Sequence, residues 1–189
     1  MKGTLPMMDK NEVKQCISGA LLELLARHAY QDITIGKIAE NAHIGRRTFY
    51  RYFTSKDEVM EYIAQDLMEQ FADTILKNQA TDLRSITKSY FEFWEEHINT
   101  LLLLKQAHLL YFIEDNLPAL IQQVAVKTKH ATKETMAALP DDQIELYLYM
   151  FHFRLAGFWK LTTLWCSETP RKTPEEMSLL MEKIFMEGV

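Results

Sequence analysis

Residues 33–59, ITIGKIAENAHIGRRTFYRYFTSKDEV, leave this chain few folds to choose from. Thr34 is a good helix N-cap, and Ile35, Ile38, Ala39 and Ala42 recur behind it at helical spacing. His43-Ile44-Gly45 ends that helix after about two turns. A second short helix is predicted over residues 46–53. Thr54-Ser55 stops it, and Ser55-Lys56-Asp57-Glu58 reads as a capping box that opens a third helix. Two short helices joined by a three-residue turn form a helix-turn-helix unit, whose second helix is the shape that enters a DNA major groove.

The second helix has a surface suited to that task. At 100° per residue, Phe49 and Phe53 fall within about 40° of one another and mark the buried face. Arg47 and Arg51 point away from it, Thr48 and Tyr50 lie on the flanks, and Arg46 stands at the helix start. So short a helix cannot fold alone. It needs Ile38, Ala42, Ile44, Phe49 and Phe53 to pack on a preceding helix. Residues 9–28 supply one, with Val13, Ile17, Leu21, Leu24, Leu25 and His28 as its stripe. Lys10 and Lys14 near its start fit either a phosphate contact or an ordinary solvated face.

Net charge is −5 over 189 residues, which argues against a generic nucleic-acid binder. Its distribution is more informative. Residues 1–60 carry a net +2 and residues 61–189 a net −7. The positive charge is thus local to the proposed reading helix and its surroundings. With 48% hydrophobic and 25% charged residues the composition is globular, and six glycines and five prolines favour long helices. No apolar run approaches the roughly 20 residues of a membrane span, and the first twelve residues hold no apolar leader core, so no membrane partner is expected. Cys16 and Cys166 lie far apart within helical patterns and read as reduced thiols of a cytoplasmic protein. The histidines show no compact metal-ligand spacing, and no metal or cofactor is expected. Gly-rich phosphate loops, a nucleophile elbow and a paired acid motif are all missing, so no enzyme is expected.

Beyond residue 56 the periodicity predicts a long helix to about residue 78, a helix opened by Thr81-Asp82 and broken at Asn99-Thr100, and a nearly apolar central helix over 101–112. A more polar helix follows Asp115 and reaches about residue 138, with Pro118 in its first turn. Residues 1–8 read as frayed. Leu139-Pro140 stops the chain, and helix 142–167 follows. This helix is apolar nearly all round. Ile144, Tyr147, Leu148, Phe151, Leu155, Phe158, Thr162 and Trp165 make one stripe; Leu146, Tyr149, Met150, Phe153, Gly157, Leu161 and Leu164 make another. Such a helix must be covered on two sides, most simply by a second copy of the chain. Thr173-Pro174-Glu175-Glu176 starts the last helix, with Met177, Leu180, Met181, Ile184 and Phe185 as its stripe. Tyr149, Phe153, Gly157, Leu161, Leu164, Leu180 and Ile184 are the expected dimer-interface residues, in a four-helix arrangement. Tyr90, Trp94, His108, Phe112, Phe151 and Trp159 fit the wall of a pocket for a small, partly apolar molecule; aromatics at this spacing also read as plain core.

The stretch around residues 34–59 resembles the TetR family of bacterial transcriptional regulators. The match is carried by Thr34, Ile38, Ala39, Ala42, Ile44, Thr48, Phe49, Tyr50, Phe53, Lys56, Glu58 and Val59, with Tyr30 as the preceding aromatic. It covers about a quarter of the chain. His43 stands where the family usually has Gly, and Gly45 where it usually has a small polar residue. The first departure asks His43 for a left-handed backbone; the second removes a hydroxyl that would meet phosphate. The segment FHFRLAGFWKLTTLWCSETPRKTPEEM is similar to one C-terminal subtype of the family, with a late Trp and a Pro-Glu-Glu-Met helix start.

The resemblance implies an all-α fold, with a helix-turn-helix domain over residues 1–55 and an effector-binding and dimerisation domain over 56–189. It places Thr34, Arg46, Arg47, Thr48, Tyr50, Tyr52 and Lys56 on DNA. Arg46 and Arg47 would read base edges, because Arg offers guanine a bidentate fork. Tyr50 and Lys56 would grip phosphate, and Thr34 reads equally as a cap alone. It implies a homodimer on a double-stranded operator, released by a small-molecule effector, with the helix from residue 56 as the lever. The alternatives are a regulator controlled by a partner protein, an activator, or a helical ligand-binding protein that no longer reads DNA.

Overall fold

The computed structural model describes residues 9–80, 82–119 and 141–186. The expectations for residues 1–8, for the helix reaching residue 138 and for the stop at Leu139-Pro140 lie outside the described residues. Those described form α1 (Lys10–Leu25), a 3-10 turn (Tyr30–Asp32), α2 (Ile35–Asn41), α3 (Arg46–Tyr52), α4 (Lys56–Lys77), α5 (Leu83–Glu96), α6 (Ile98–Gln106), α7 (Tyr111–Glu114), α8 (Asp141–Trp165) and α9 (Pro174–Met186). No strand occurs among them.

Helix starts follow the capping chemistry. Asp9 and Glu12 close a reciprocal box on α1, Asp82 and Ser85 do so on α5, and Thr173 and Glu176 on α9. The box expected at α4 is displaced by one residue. Ser55 accepts from the Glu58 amide at 3.0 Å, but the Glu58 carboxylate reaches the backbone amide and hydroxyl of Thr54 rather than Ser55. Those two donors hold the Glu58 carboxyl below its usual range, the backbone bond contributing most.

Three helices end in one motif. After α2 the His43 amide donates to Glu40 and the Ile44 amide to Ala39; after α4, Gln79 to Leu76 and Ala80 to Ile75; after α6, His108 to Lys105 and Leu109 to Leu104. Each is a Schellman closure with its apex residue in the left-handed region: His43 at φ 53°, Gln79 at 51° and His108 at 58°. None of the three is glycine. The closure at His108 splits the single helix expected over 101–112 into α6 and α7. Another expectation is also corrected: the break before α6 falls at His97, and Asn99 and Thr100 lie inside that helix.

α2 and α4 pack on α1, α3 packs on α2, and α4 runs on to meet α5 and α7. Val13, Ile17, Leu21 and Leu25 of α1 are buried, whereas His28 is exposed beyond the helix end. Lys14 lies with its ammonium 4.8 Å from the Tyr62 ring centre, a cation–π contact between α1 and α4. α4 buries Met60, Ile63, Leu67, Phe71 and Ile75, the stripe read from the sequence. α9 docks along α5, where Glu175 pairs with Arg84 and Lys88.

Candidate nucleic-acid interface

α3 is held by its own apolar face. Phe49 and Phe53 are fully buried, with ring centres 6.1 Å apart, and Phe53 meets Tyr62 of α4 at 5.6 Å. Ile38 and Ala39 of α2 and Ala42 at its C-terminal cap complete the seat, and Ile44 of the turn packs partly against it. The opposite face is open. Arg46, Arg47, Tyr50 and Arg51 are exposed, Tyr50 by 57%, and Thr48 is half-buried. Arg51 belongs with this surface; its helical phase signalled it, although no site role was assigned to it from sequence. Three guanidinium groups on a seven-residue helix set a concentrated positive field at the molecular surface.

The remaining expected DNA residues are placed differently. Thr34 caps α2 through a 3.3 Å bond from the Lys37 amide, with its side chain exposed. Tyr52 is half-buried against the core. Arg46 lies back over α2, its guanidinium so close to Gly36 that a Cβ there would stand 2.5 Å from Nη2. Lys56 is turned inward. Its ammonium donates to the carbonyl oxygens of Tyr30 at 2.6 Å and Ile33 at 3.1 Å, and sits 4.3 Å from the Tyr30 ring centre. The Tyr30 hydroxyl donates to Asp57 at 2.5 Å. Burial, and then that carboxylate, push the Tyr30 phenol well above its ordinary value.

In the C-terminal part, four of the six expected pocket residues are packed as core. Tyr90, Trp94, Phe112 and Trp159 are buried; Trp94 stands 6.2 Å from Tyr90 and 6.0 Å from Trp159, ring centre to ring centre. Phe151 is half-buried beside His152. His108 is exposed at the α6 terminus, so it does not belong with that aromatic cluster. One surface hollow of about 180 Å³ lies between α1 and α4, lined by polar and acidic side chains and Tyr62. Among the described residues no helix is long and apolar enough to cross a membrane, and no three His, Cys, Asp or Glu side chains gather as a metal site.

The two stripes of α8 are separated by the fold in its C-terminal half. Phe158 meets Tyr90 at 4.6 Å, Thr162 is buried and Trp165 meets Phe91 at 5.1 Å, so this part of the first stripe faces inward, whereas Leu148 nearer its start is 44% exposed. The other is left bare: Tyr149 is 70% exposed, Phe153 81% and Leu164 51%, with Gly157 exposed and Leu161 half-buried. Leu180 and Ile184 of α9 are exposed as well, while Met177 and Met181 turn inward.

This architecture, a three-helix helix-turn-helix unit joined through a long helix to a helical bundle, is that of TetR-like regulators. Residues 17–63 match the family described as "Bacterial regulatory proteins, tetR family", a similarity carried by this part of the chain. Among curated relatives, an HTH-type transcriptional regulator of Haemophilus influenzae is 24% identical over 107 residues, 57% of this chain and 50% of that protein. The dhaKLM operon transcriptional activator DhaS of Lactococcus lactis is 33% identical over 72 residues, 38% of this chain and 37% of that protein. The chain thus aligns with half or less of these two relatives. A solved tetR-family transcriptional regulator from Streptomyces coelicolor superposes with a TM-score of 0.60 at 21% identity, covering 94% of this chain and 80% of that one. The solved dihydroxyacetone kinase operon activator DhaS gives 0.58 at 17%, covering 93% and 94%. All of these proteins are regulators rather than enzymes.

Proposed function

We propose that the chain is an operator-specific DNA-binding transcriptional regulator that works as a homodimer. The observation that carries this reading is α3: a recognition-type helix seated by Phe49 and Phe53, with Arg47, Tyr50 and Arg51 exposed on the outer face and Arg46 exposed at its start, its guanidinium resting beside Gly36. Arg47 and Arg46 read base edges, Tyr50 meets phosphate, and Thr34 and Thr48 flank the contact. Residues 1–55 form the reading domain; residues 56–189 dimerise and receive the signal. The bare stripe of α8 with Leu180 and Ile184 of α9 supports a second copy as its cover, which sets two reading helices about 34–36 Å apart on successive major grooves.

Repression relieved by a small-molecule effector is the mode we favour. The ligand stabilises a dimer whose heads no longer match the groove spacing. Because Tyr90, Trp94 and Trp159 pack on one another, such a ligand has to part this cluster or bind beside it. Coupling is reciprocal, so a true effector binds more weakly to the DNA-bound protein. Activation is the second reading, favoured by the likeness to DhaS.

Arg47→Ala tests the base-reading role. It is expected to lose about 1–3 kcal/mol of operator affinity and to relax preference at one base pair per half-site. An unchanged ranking of operator variants would remove Arg47 from base recognition.

A further inference from the structure

The chemistry of the Lys56 ammonium is already engaged within the chain. Two of its N–H groups meet the carbonyl oxygens of Tyr30, which also accepts from the Ile33 amide at 3.2 Å, and of Ile33 itself, and the Tyr30 ring covers it from another side. The neighbouring Asp57 accepts from the hydroxyl of the same tyrosine. Two consecutive residues at the start of α4 therefore grasp both ends of Tyr30, its backbone and its phenol. Ile33 is followed directly by Thr34, the cap of α2, so whatever fixes the Ile33 carbonyl fixes the angle at which the first helix of the reading unit leaves the turn.

We infer that Lys56 is a positioning residue: with Asp57 it ties the Tyr30–Ile33 turn to the start of α4 and thereby sets the reading unit on the lever helix, instead of gripping phosphate. This rests on the DNA-binding reading above. A phosphate grip needs the ammonium turned toward the duplex, whereas two of its three N–H groups and its ring contact hold it toward the turn. Leaving the turn to do so would strip the Tyr30 and Ile33 carbonyls of a charged donor, which is unfavourable where the site is half-buried. Arginine at this position keeps the charge but exchanges the compact ammonium for a longer planar fork, which does not reproduce the same pair of carbonyl bonds under the Tyr30 ring.

The experiment uses the full chain and a labelled duplex enriched from a random pool by the wild-type protein. Affinities of wild type, Lys56→Gln and Lys56→Arg are measured across salt, with amide spectra of each DNA-free protein as the second readout. A positioning role predicts a roughly tenfold loss in both variants, with the slope of log affinity against log salt unchanged. It also predicts displaced amide signals over residues 30–37 before any DNA is added. A phosphate grip predicts that Lys56→Gln lowers the slope by about 0.9 per reading head, while Lys56→Arg keeps both affinity and slope. That result, or unperturbed amide signals over 30–37, overturns the inference. Failure of wild type to bind any duplex would overturn the DNA-binding reading instead, and the amide spectra would still decide the tie.

Discussion

The hydroxyl of Tyr90 on α5 meets that of Thr162 on α8 at 3.0 Å, in a core where both residues are buried. Thr162 also donates to the Phe158 carbonyl at 3.0 Å, so the proton between the two hydroxyls comes from tyrosine. Thr162→Val keeps the shape and removes the acceptor. It should cost about 1–3 kcal/mol, since the phenol proton is left buried without its acceptor. Thr162→Ser keeps the acceptor and should fall at the low end, near 1 kcal/mol, for a lost methyl. Urea unfolding of the two variants checks the order; equal costs would deny the bond a role.

The Schellman closures make a second prediction. His43, Gln79 and His108 hold left-handed backbones that favour glycine. Replacing each by Gly relieves that strain at some cost in chain entropy, for a net gain of about 0.5 kcal/mol apiece. His43→Val, β-branched at the same φ, should destabilise. Urea midpoints decide, and a loss on all three glycine replacements would contradict the assignment of strain.

Phe153 tests the α8 surface. It is 81% exposed in the single chain, so Phe153→Glu should leave the protomer fold intact. It should also convert the proposed homodimer to monomer, because a charge would be buried against the mate. Sedimentation together with circular dichroism separates the outcomes: a folded monomer is expected, and an unaffected dimer would place the interface elsewhere.

A pH dependence follows from α9. Arg84 and Lys88 hold the Glu175 carboxyl below its ordinary value of 4.5, the bond to Arg84 contributing most. A lowered folded pKa means stability that is present above the unfolded value and lost as pH falls through the folded one. Wild type should therefore lose more stability than Glu175→Gln when taken from pH 7 to below about 4.5. The effect is small and salt-sensitive, as for any exposed pair. Parallel pH profiles would show that the tie contributes nothing.

The reading unit was largely legible because its signals are local. Thr34, Ser55, Asp82 and Thr173 announce helix starts, and the spacing of Phe49 and Phe53 fixes which face of α3 is buried. What was missed is of two kinds. The turn at His108 has no glycine, proline or polar cluster to mark it, so it was invisible, whereas the glycine-free end of α4 near Asn78 was read. The direction of Lys56 is set by carbonyls 23 and 26 residues upstream, which no window around it contains. Likewise the two stripes of α8 are equally apolar; only the meeting of Phe158 and Trp165 with α5 shows which one is inside. Rings such as Tyr90 and Trp94 have the same spacing whether they line a pocket or fill a core.

The most direct test of the account is selection of bound duplexes from a random pool, repeated at two salt concentrations. It predicts enrichment of a palindrome with half-sites one helical turn apart, bound with an affinity that falls steeply as salt rises. Folded, dimeric protein that enriches no sequence would contradict it.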